Sequence, residues 1–366
     1  MSTLTLDARW LSTGLGTYTL NLIQELHRCG EFDVHLLTLP ENRERLAQYN
    51  YRITIVKSSI YSLREQIEIV RAARGSTVLH VPHYNAPLGF RGQLLVTIHD
   101  LNHILDQSYR RTLRSWVYAR PMLRAVAARA DHIFTVSEYS KQQILQYLGA
   151  DPDKITVVYN QVAPHFFPAV SRSAARACIN RLVSFSGPYV LFVGNLKPSK
   201  NVGGLLKAFA LMKKRSQLPH RLLLVGDDAH GRPLLEALTR SLGLGEFVVF
   251  VRRLGGNLLR DAYSGADLTV LPSFEEGFGL PVLESMACGT PVACSRAASL
   301  PEVAAEAAEY FDPHDIDSIA TAVEKVLLSS DRRRQLQSQG RQRAAWFTAE
   351  RCWRPHLEVY RQFINM

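Results

Sequence analysis

Short apolar runs separated by longer amphipathic stretches set the rhythm of this chain. Residues 4–8, 34–39, 78–81, 94–98, 132–136 and 155–159 are brief hydrophobic runs that read as strands. Between them, apolar residues recur at helical spacing. Leu20, Leu22, Ile23 and Leu26 fall within a helix predicted over 14–30, with Gly30 as its stop. Ser62-Leu63-Arg64-Glu65 reads as a capping box opening a helix that ends near Gly75. A long basic helix is predicted over 109–130, and Ser137 carries a hydroxyl suited to cap the next helix. Residues 161–188 are less regular, with Pro164, Pro168 and Pro188, and a domain boundary is placed there.

The rhythm then resumes. Strands are predicted over 190–193, 222–225, 248–251, 268–271 and 292–294, and residues 331–366 carry a helical pattern with no strand signal. Near-continuous apolar strands alternating with helices imply parallel sheets covered on both faces. The fold class is therefore read as α/β, with two doubly wound Rossmann-like domains, 1–165 and 166–345, facing across a cleft. In such sheets ligands sit beyond the carboxyl ends of the strands, so the residues just after strands carry the interest.

Composition narrows the partners. The 366 residues are 46% hydrophobic and 21% charged, which excludes collagen, coiled coil and whole-chain disorder. Lys and Arg number 43 against 33 Asp and Glu, a formal charge of +10. That surplus suits an anionic partner: a phosphorylated small molecule, a membrane surface or a nucleic acid. No recognised nucleic-acid-binding module accompanies it, so nucleic acid is set aside. No basic leader with an apolar core is visible and no apolar run approaches the ~18 residues that span a bilayer, so a cytoplasmic location is expected. The 109–130 helix, with Arg110, Arg111, Arg114, Arg120, Arg124 and Arg129 beside Trp116 and Tyr118, suits peripheral contact with an anionic inner-membrane face. Five scattered cysteines without a C-x-x-C pair read as free thiols.

Four stretches after strands carry chemistry. Gly14-Leu15-Gly16-Thr17 lets the backbone approach a bound group at a helix start, but Thr19 replaces the third glycine of a dinucleotide fingerprint. His99-Asp100 ends a strand, where an imidazole can meet a substrate hydroxyl or simply bond to backbone. In Gly194-Asn195-Leu196-Lys197-Pro198-Ser199-Lys200-Asn201, Lys200 lies near a helix start, where a bound phosphate accounts for a cation and Lys197 could assist. Ser273 to Glu284 is the most informative stretch, with Glu276 in a glycine-rich loop, Pro281 at the start of a helix and Glu284 in its first turn. Two carboxylates here could be a glycosidase pair, could bind sugar hydroxyls, or could sit on the surface. Asp151-Pro152-Asp153 has the form of a metal-binding D-x-D but reads as turn chemistry.

The run Glu276-Gly277-Phe278-Gly279-Leu280-Pro281 through Glu284, Met286-Ala287 and Pro291-Val292 resembles the E-x7-E signature of retaining family-four glycosyltransferases, whose fold is GT-B. Asp7, Gly14 and Gly16, Thr97 to Leu101, Thr135 to Lys141, Val193 to Asn201, Ser299 to Val303 and Tyr310 to Pro313 resemble further segments of that family. The resemblance implies a nucleotide-diphosphate sugar as co-substrate, no cofactor and no metal. By likeness, Glu284 holds the ribose, and Glu276 with Gly277, Phe278, Gly279 and Leu280 holds the donor sugar. Lys200 pairs with the diphosphate, assisted by Asn195, Lys197, Gly14 and Gly16, and His99 lies beside the transferring sugar. Many members carry arginine where this chain has Asn195 or Ser199. The expected activity is metal-independent transfer of a hexose, mannose from GDP-mannose being the best guess, to a hydroxyl of a glycan or lipid-linked oligosaccharide in cell-surface polysaccharide synthesis. A C-terminal helix, 346–366, is expected to pack back on the first domain. The rivals are a nucleotide-sugar hydrolase or epimerase on the same fold, and a non-catalytic glycan-binding protein.

Overall fold

The computed structural model describes residues 3–12, 15–105 and 113–364. The chain divides into two compact units, Met1–Gln161 with Thr348–Met366, and Val162–Phe347. The change of unit comes at Gln161 rather than at residue 165, and the returning segment starts at Thr348 rather than 346.

In the first unit, strands β1 (Thr3–Asp7), β2 (Asp33–Thr38), β3 (Arg52–Ile55), β4 (Val78–Val81), β5 (Gln93–Thr97), β6 (His132–Thr135) and β7 (Ile155–Val157) form one sheet in the order β3-β2-β1-β4-β5-β6-β7. Every pairing is parallel. The helices are α1 (Gly16–Cys29), α2 (Arg43–Ala47), α3 (Leu63–Ala72), α4 (Asn102–Leu105), α5 (Leu113–Arg129), α6 (Glu138–Leu148) and, from the end of the chain, α15 (Ala349–Ile364). Helix α1 stops at Gly30, which takes the left-handed conformation with φ 64°. Ser62 and Ser137 cap α3 and α6 through their hydroxyls, as their side chains predict. The capping box at α3 closes only halfway. Glu65 accepts from the Tyr61 N–H and turns its other oxygen to buried Arg9. Ile69 of α3, Leu123 and Val126 of α5 and Ile144 of α6 pack on Leu79, Val96 and Ile133 of the sheet. Burying each such side chain contributes roughly 1.5–3 kcal/mol.

The second unit repeats the plan. Its strands are β8 (Tyr189–Val193), β9 (Arg221–Val225), β10 (Val248–Val251), β11 (Leu268–Leu271), β12 (Val292–Ser295) and β13 (Ala308–Phe311), ordered β10-β9-β8-β11-β12-β13 and all parallel. Its helices are α7 (Arg172–Leu182), α8 (Val202–Ser216), α9 (Gly231–Ser241), α10 (Gly256–Gly265), α11 (Leu280–Ala287), α12 (Leu300–Ala304), α13 (Ile316–Leu328) and α14 (Ser330–Trp346). Leu205, Phe209 and Met212 of α8 and Ile319, Val323 and Val326 of α13 cover one face of the sheet. Ile179 of α7 and Ala262 and Tyr263 of α10 cover the other. Both sheets reverse strand order at one place, between β1 and β4 and between β8 and β11, and such switch points open a crevice at the strand ends.

Among the described residues, the short helices α2 and α4, strands β3 and β13 and helix α7 escape the hydrophobic pattern. Strand β3 is Arg-Ile-Thr-Ile with a partly exposed edge, and β13, Ala-Glu-Tyr-Phe, carries one charge. Helix α7 lies inside the segment read as irregular, because Ser171 caps it and only Ala175 and Ile179 are buried.

Candidate functional site

The loops expected to hold a ligand in the second unit are neighbours, because their strands are neighbours. Gly194 to Asn201 leaves β8, Ser273 to Gly279 leaves β11, and β8 pairs with β11. The Phe274 N–H donates to the Ser199 carbonyl at 2.8 Å and ties the loops together. Gly194 and Gly226 are needed at this rim. A Cβ on Gly226 would lie 1.7 Å from the Gly194 carbonyl oxygen, so β8 and β9 end backbone against backbone.

Lys200 ends a single 3-10 turn, Pro198–Lys200, and Asn201 then caps α8 by accepting from the Gly204 N–H. Asn201 takes φ 51°, a left-handed conformation that asparagine tolerates, and its amide donates to the Pro313 carbonyl at 2.8 Å. Lys200 Nζ lies 2.8 Å from Glu276 Oε1. The two side chains are only 14% and 15% exposed, so this is a largely desolvated ion pair rather than a surface one. Ser273 Oγ donates to the same carboxylate at 3.1 Å, and Ser299 Oγ donates to the Glu276 carbonyl at 2.9 Å. Asn195 is exposed and receives the Lys197 N–H on its side chain, which forms the turn before Lys200.

Beyond Glu276 the chain turns through Gly277, Phe278 and Gly279 into α11. Gly279 caps that helix with φ 95°, and a Cβ there would lie 2.5 Å from Leu300 Cδ2. Phe278 is buried, against Phe347. Leu280 and Pro281 open α11, so Glu284 falls in its second turn and not in the first. Glu284 accepts the Tyr263 hydroxyl at 2.7 Å. Burial pushes its carboxyl up to about 7, and the Tyr263 hydrogen bond opposes the rise.

In the first unit, His99 lies two residues beyond β5, half-buried. Its Nε2 is 3.3 Å from the Pro82 carbonyl, and a carbonyl only accepts, so Nε2 carries the proton and Nδ1 keeps its lone pair. Burial lowers the imidazole to about 4 and holds it neutral at physiological pH. Gly16 serves packing: a Cβ there would lie 2.2 Å from the Leu11 carbonyl oxygen. Gly14 lies outside the described residues, as do Arg110 and Arg111 of the basic helix. Arg129 is engaged with Asp131 and the Phe90 and Gly92 carbonyls, so it leaves the set of solvated arginines. Asp151 caps a short 3-10 turn, as turn chemistry requires.

Several residues of these sites escape sequence reasoning. Tyr263, which holds Glu284, and Tyr18, which packs on His99, sit in ordinary helices with no motif to mark them. Gly226 was legible in principle, since like Gly194 it is a glycine directly after an apolar strand.

Comparison with known proteins decides the family. The model described as Glycosyl transferases group 1 matches residues 184–343, and that of Glycosyltransferase Family 4 matches residues 12–166. The chain belongs to the group 1 glycosyltransferases. It is 25% identical to O-antigen chain mannosyltransferase B of Escherichia coli over 95% of this chain and 96% of that one. It is 30% identical to the serotype-specific mannosyltransferase WbdA of Escherichia coli over 60% of this chain and 27% of that protein. The fold is GT-B: the structure of HepE of Anabaena in complex with UDP-glucose superposes with a TM-score of 0.79, at 16% identity, over 99% of this chain and 100% of that one. In this glycosyltransferase, the loop with Lys200 and the stretch from Glu276 to Glu284 fall in the group 1 match, and His99 falls in the Family 4 match.

Proposed function

We propose that this glycosyltransferase moves a hexose from a nucleotide-diphosphate sugar to a hydroxyl of a glycan or lipid-linked oligosaccharide, with retention of anomeric configuration and without a metal. The observation that carries the reading is the desolvated Lys200–Glu276 pair between two loops at the switch point of the second sheet. A diphosphate arriving on Lys200 releases the Glu276 carboxylate to accept sugar hydroxyls. Glu284, fixed by Tyr263, has the geometry to accept two ribose hydroxyls when ionised. His99 offers a neutral Nδ1 lone pair to a hydroxyl of the transferring sugar.

In the reaction, the bond from the anomeric carbon to the diphosphate oxygen breaks as an oxocarbenium-like centre forms. The acceptor oxygen bonds to that carbon from the same face, and its proton passes to the departing phosphate. Charge grows on the phosphate, where Lys200 and backbone N–H groups stabilise it more than in the ground state. No side-chain nucleophile is needed, and Glu276 is not assigned that role.

Mannose from GDP-mannose is the donor we favour, supported by the names of the two Escherichia coli relatives. A UDP-glucose donor is the contrasting case, since UDP-glucose is what the Anabaena structure holds. Purified protein incubated with GDP-mannose, UDP-glucose, UDP-GlcNAc and a rhamnose donor, with and without a lipid-linked acceptor, tests this. The reading expects acceptor-dependent transfer from GDP-mannose with the donor's anomeric configuration preserved by NMR. Release of free sugar regardless of acceptor identifies a hydrolase, and no turnover of any donor identifies a binding protein.

We also propose peripheral contact with an anionic membrane. Arg120 and Arg124 are exposed on α5, and residues 109–130 contain no acidic side chain. On α3, which packs on the same sheet face, Leu63 and Ile67 are 84% and 56% exposed beside exposed Arg64 and Arg71. Among the described residues no helix is long and apolar enough to cross a membrane.

A further inference from the structure

A chain of buried polar side chains runs beneath His99 in the first unit, and the transfer chemistry above does not use it. His356 Nε2 meets the Tyr18 hydroxyl at 2.7 Å, and that hydroxyl meets Thr97 Oγ1 at 2.9 Å. Thr97 Oγ1 meets His80 Nε2 at 2.9 Å, and His80 Nδ1 meets the Tyr360 hydroxyl at 2.5 Å. His356 and Tyr360 are one turn apart on α15, so both ends of the chain close on the same helix. All five side chains are buried. Two proton orders satisfy these contacts: His356 donates to Tyr18, Tyr18 to Thr97, Thr97 to His80 and His80 to Tyr360, or all four bonds run the other way. Each hydroxyl within the chain then gives one hydrogen bond and takes one, and both imidazoles are neutral.

The chain touches His99 in two ways. Thr97 ends strand β5 two residues before it, and the Tyr18 ring stands edge-on to the His99 imidazole with centroids 4.7 Å apart and planes at 85°. The imidazole otherwise has the Pro82 carbonyl on Nε2, while the His99 carbonyl accepts from Ser140 Oγ at 3.0 Å. Tyr18 is thus the one aromatic wall recorded against this ring among the described residues, and its own position is set by α15.

We propose that Tyr18, anchored by His356 of α15, is a positioning residue that fixes the ring plane of His99 and so aims Nδ1 at the transferring sugar. This rests on the reading of His99 given above. A ring that swings in its socket still packs, but it places its lone pair away from the hydroxyl, and small misplacements of a catalytic group cost one to two orders of magnitude in rate. Tyr18 touches no substrate in this scheme, and its effect passes entirely through His99.

That dependence sets the test, a double-mutant cycle on full-length protein with the donor that turns over best among those named above. His99→Ala lowers kcat. Tyr18→Leu lowers kcat by about tenfold or more, with the donor KM unchanged, because the donor's anchoring groups are in the second unit. In the His99→Ala background, Tyr18→Leu has no further effect on kcat. His356→Gln, whose amide offers an N–H or a carbonyl at the Nε2 place, stays near wild type, whereas His356→Leu behaves like Tyr18→Leu. Tyr18→Phe keeps the ring but drops the anchor, so its kcat falls as in His356→Leu, and its thermal melting and kcat can be read where Tyr18→Leu does not fold. Independent, multiplicative losses from Tyr18→Leu and His99→Ala would overturn the positioning role while leaving that of His99 intact. An unchanged kcat in His99→Ala would overturn the reading beneath it.

Discussion

Glu284 couples two properties of the protein with opposite signs. Its carboxyl is raised from 4.5 to about 7 by burial, so the folded state binds its proton more tightly than the unfolded chain does. Folding stability from this group is therefore greatest below pH 4.5 and is lost as pH rises towards 7. Ribose binding needs the ionised form. The affinity for GDP should strengthen between pH 6 and 8, and calorimetric titration checks it. Glu284→Gln should remove that pH dependence, weaken binding, and raise the melting temperature at pH 8, a gain in stability at the expense of function. A binding curve flat with pH in the wild type would contradict the ribose role. At Lys200 the prediction is kinetic. Lys200→Ala should lower kcat by on the order of 10²–10³-fold while donor KM changes less, as expected when a charge acts chiefly on the transition state. A raised donor KM with kcat unchanged would place the lysine in ground-state recognition alone.

Loops and helices carry predictions about stability. Gly279 caps α11 at φ 95° with Leu300 pressed against the place of a Cβ, so Gly279→Ala should cost about 1–3 kcal/mol in urea unfolding. In the first unit His35, His80 and His132 are lowered to about 4, about 3 and about 4, in each case chiefly by burial. Their unfolded forms take up protons near 6.5, so stability is full above that value and falls as pH drops towards 4. The melting temperature should decline from pH 7 to pH 5, and His80→Gln should flatten that slope. At this scale the sequence was readable wherever apolar period and capping residues agreed: β1, β4, β8 to β11 and the starts of α3 and α6 stand close to where Val, Leu and Ser place them. It was silent where an element is half-solvated. Strand β3 and helix α7 each bury too little apolar surface to imprint a period. Glu276 and Lys200 could be read from their motifs, but Tyr263 and Tyr18 could not. Their importance comes from a partner distant in sequence, and no local pattern encodes a hydrogen bond between Tyr18 and His356.

The whole molecule is one plan used twice: a parallel sheet with a switch point at its middle strands. Fold class followed from the alternation of short apolar strands and helices. The family followed from the stretch between Glu276 and Glu284, whose residues shape a loop and a helix start. Overall charge adds a prediction of its own. A chain of +10 with exposed Arg64, Arg71, Arg120 and Arg124 beside Leu63 and Ile67 should sediment with vesicles containing phosphatidylglycerol and not with pure phosphatidylcholine. Leu63→Glu with Ile67→Glu should reduce that binding several-fold without changing turnover of a soluble acceptor. A crystal structure of the protein soaked with GDP shows most directly what the Lys200–Glu276 pair is for. A phosphate is expected within hydrogen-bond distance of Lys200 Nζ, with the ribose hydroxyls on Glu284. A nucleotide bound elsewhere, with Lys200 and Glu276 still paired and the β8 and β11 loops empty, would contradict it.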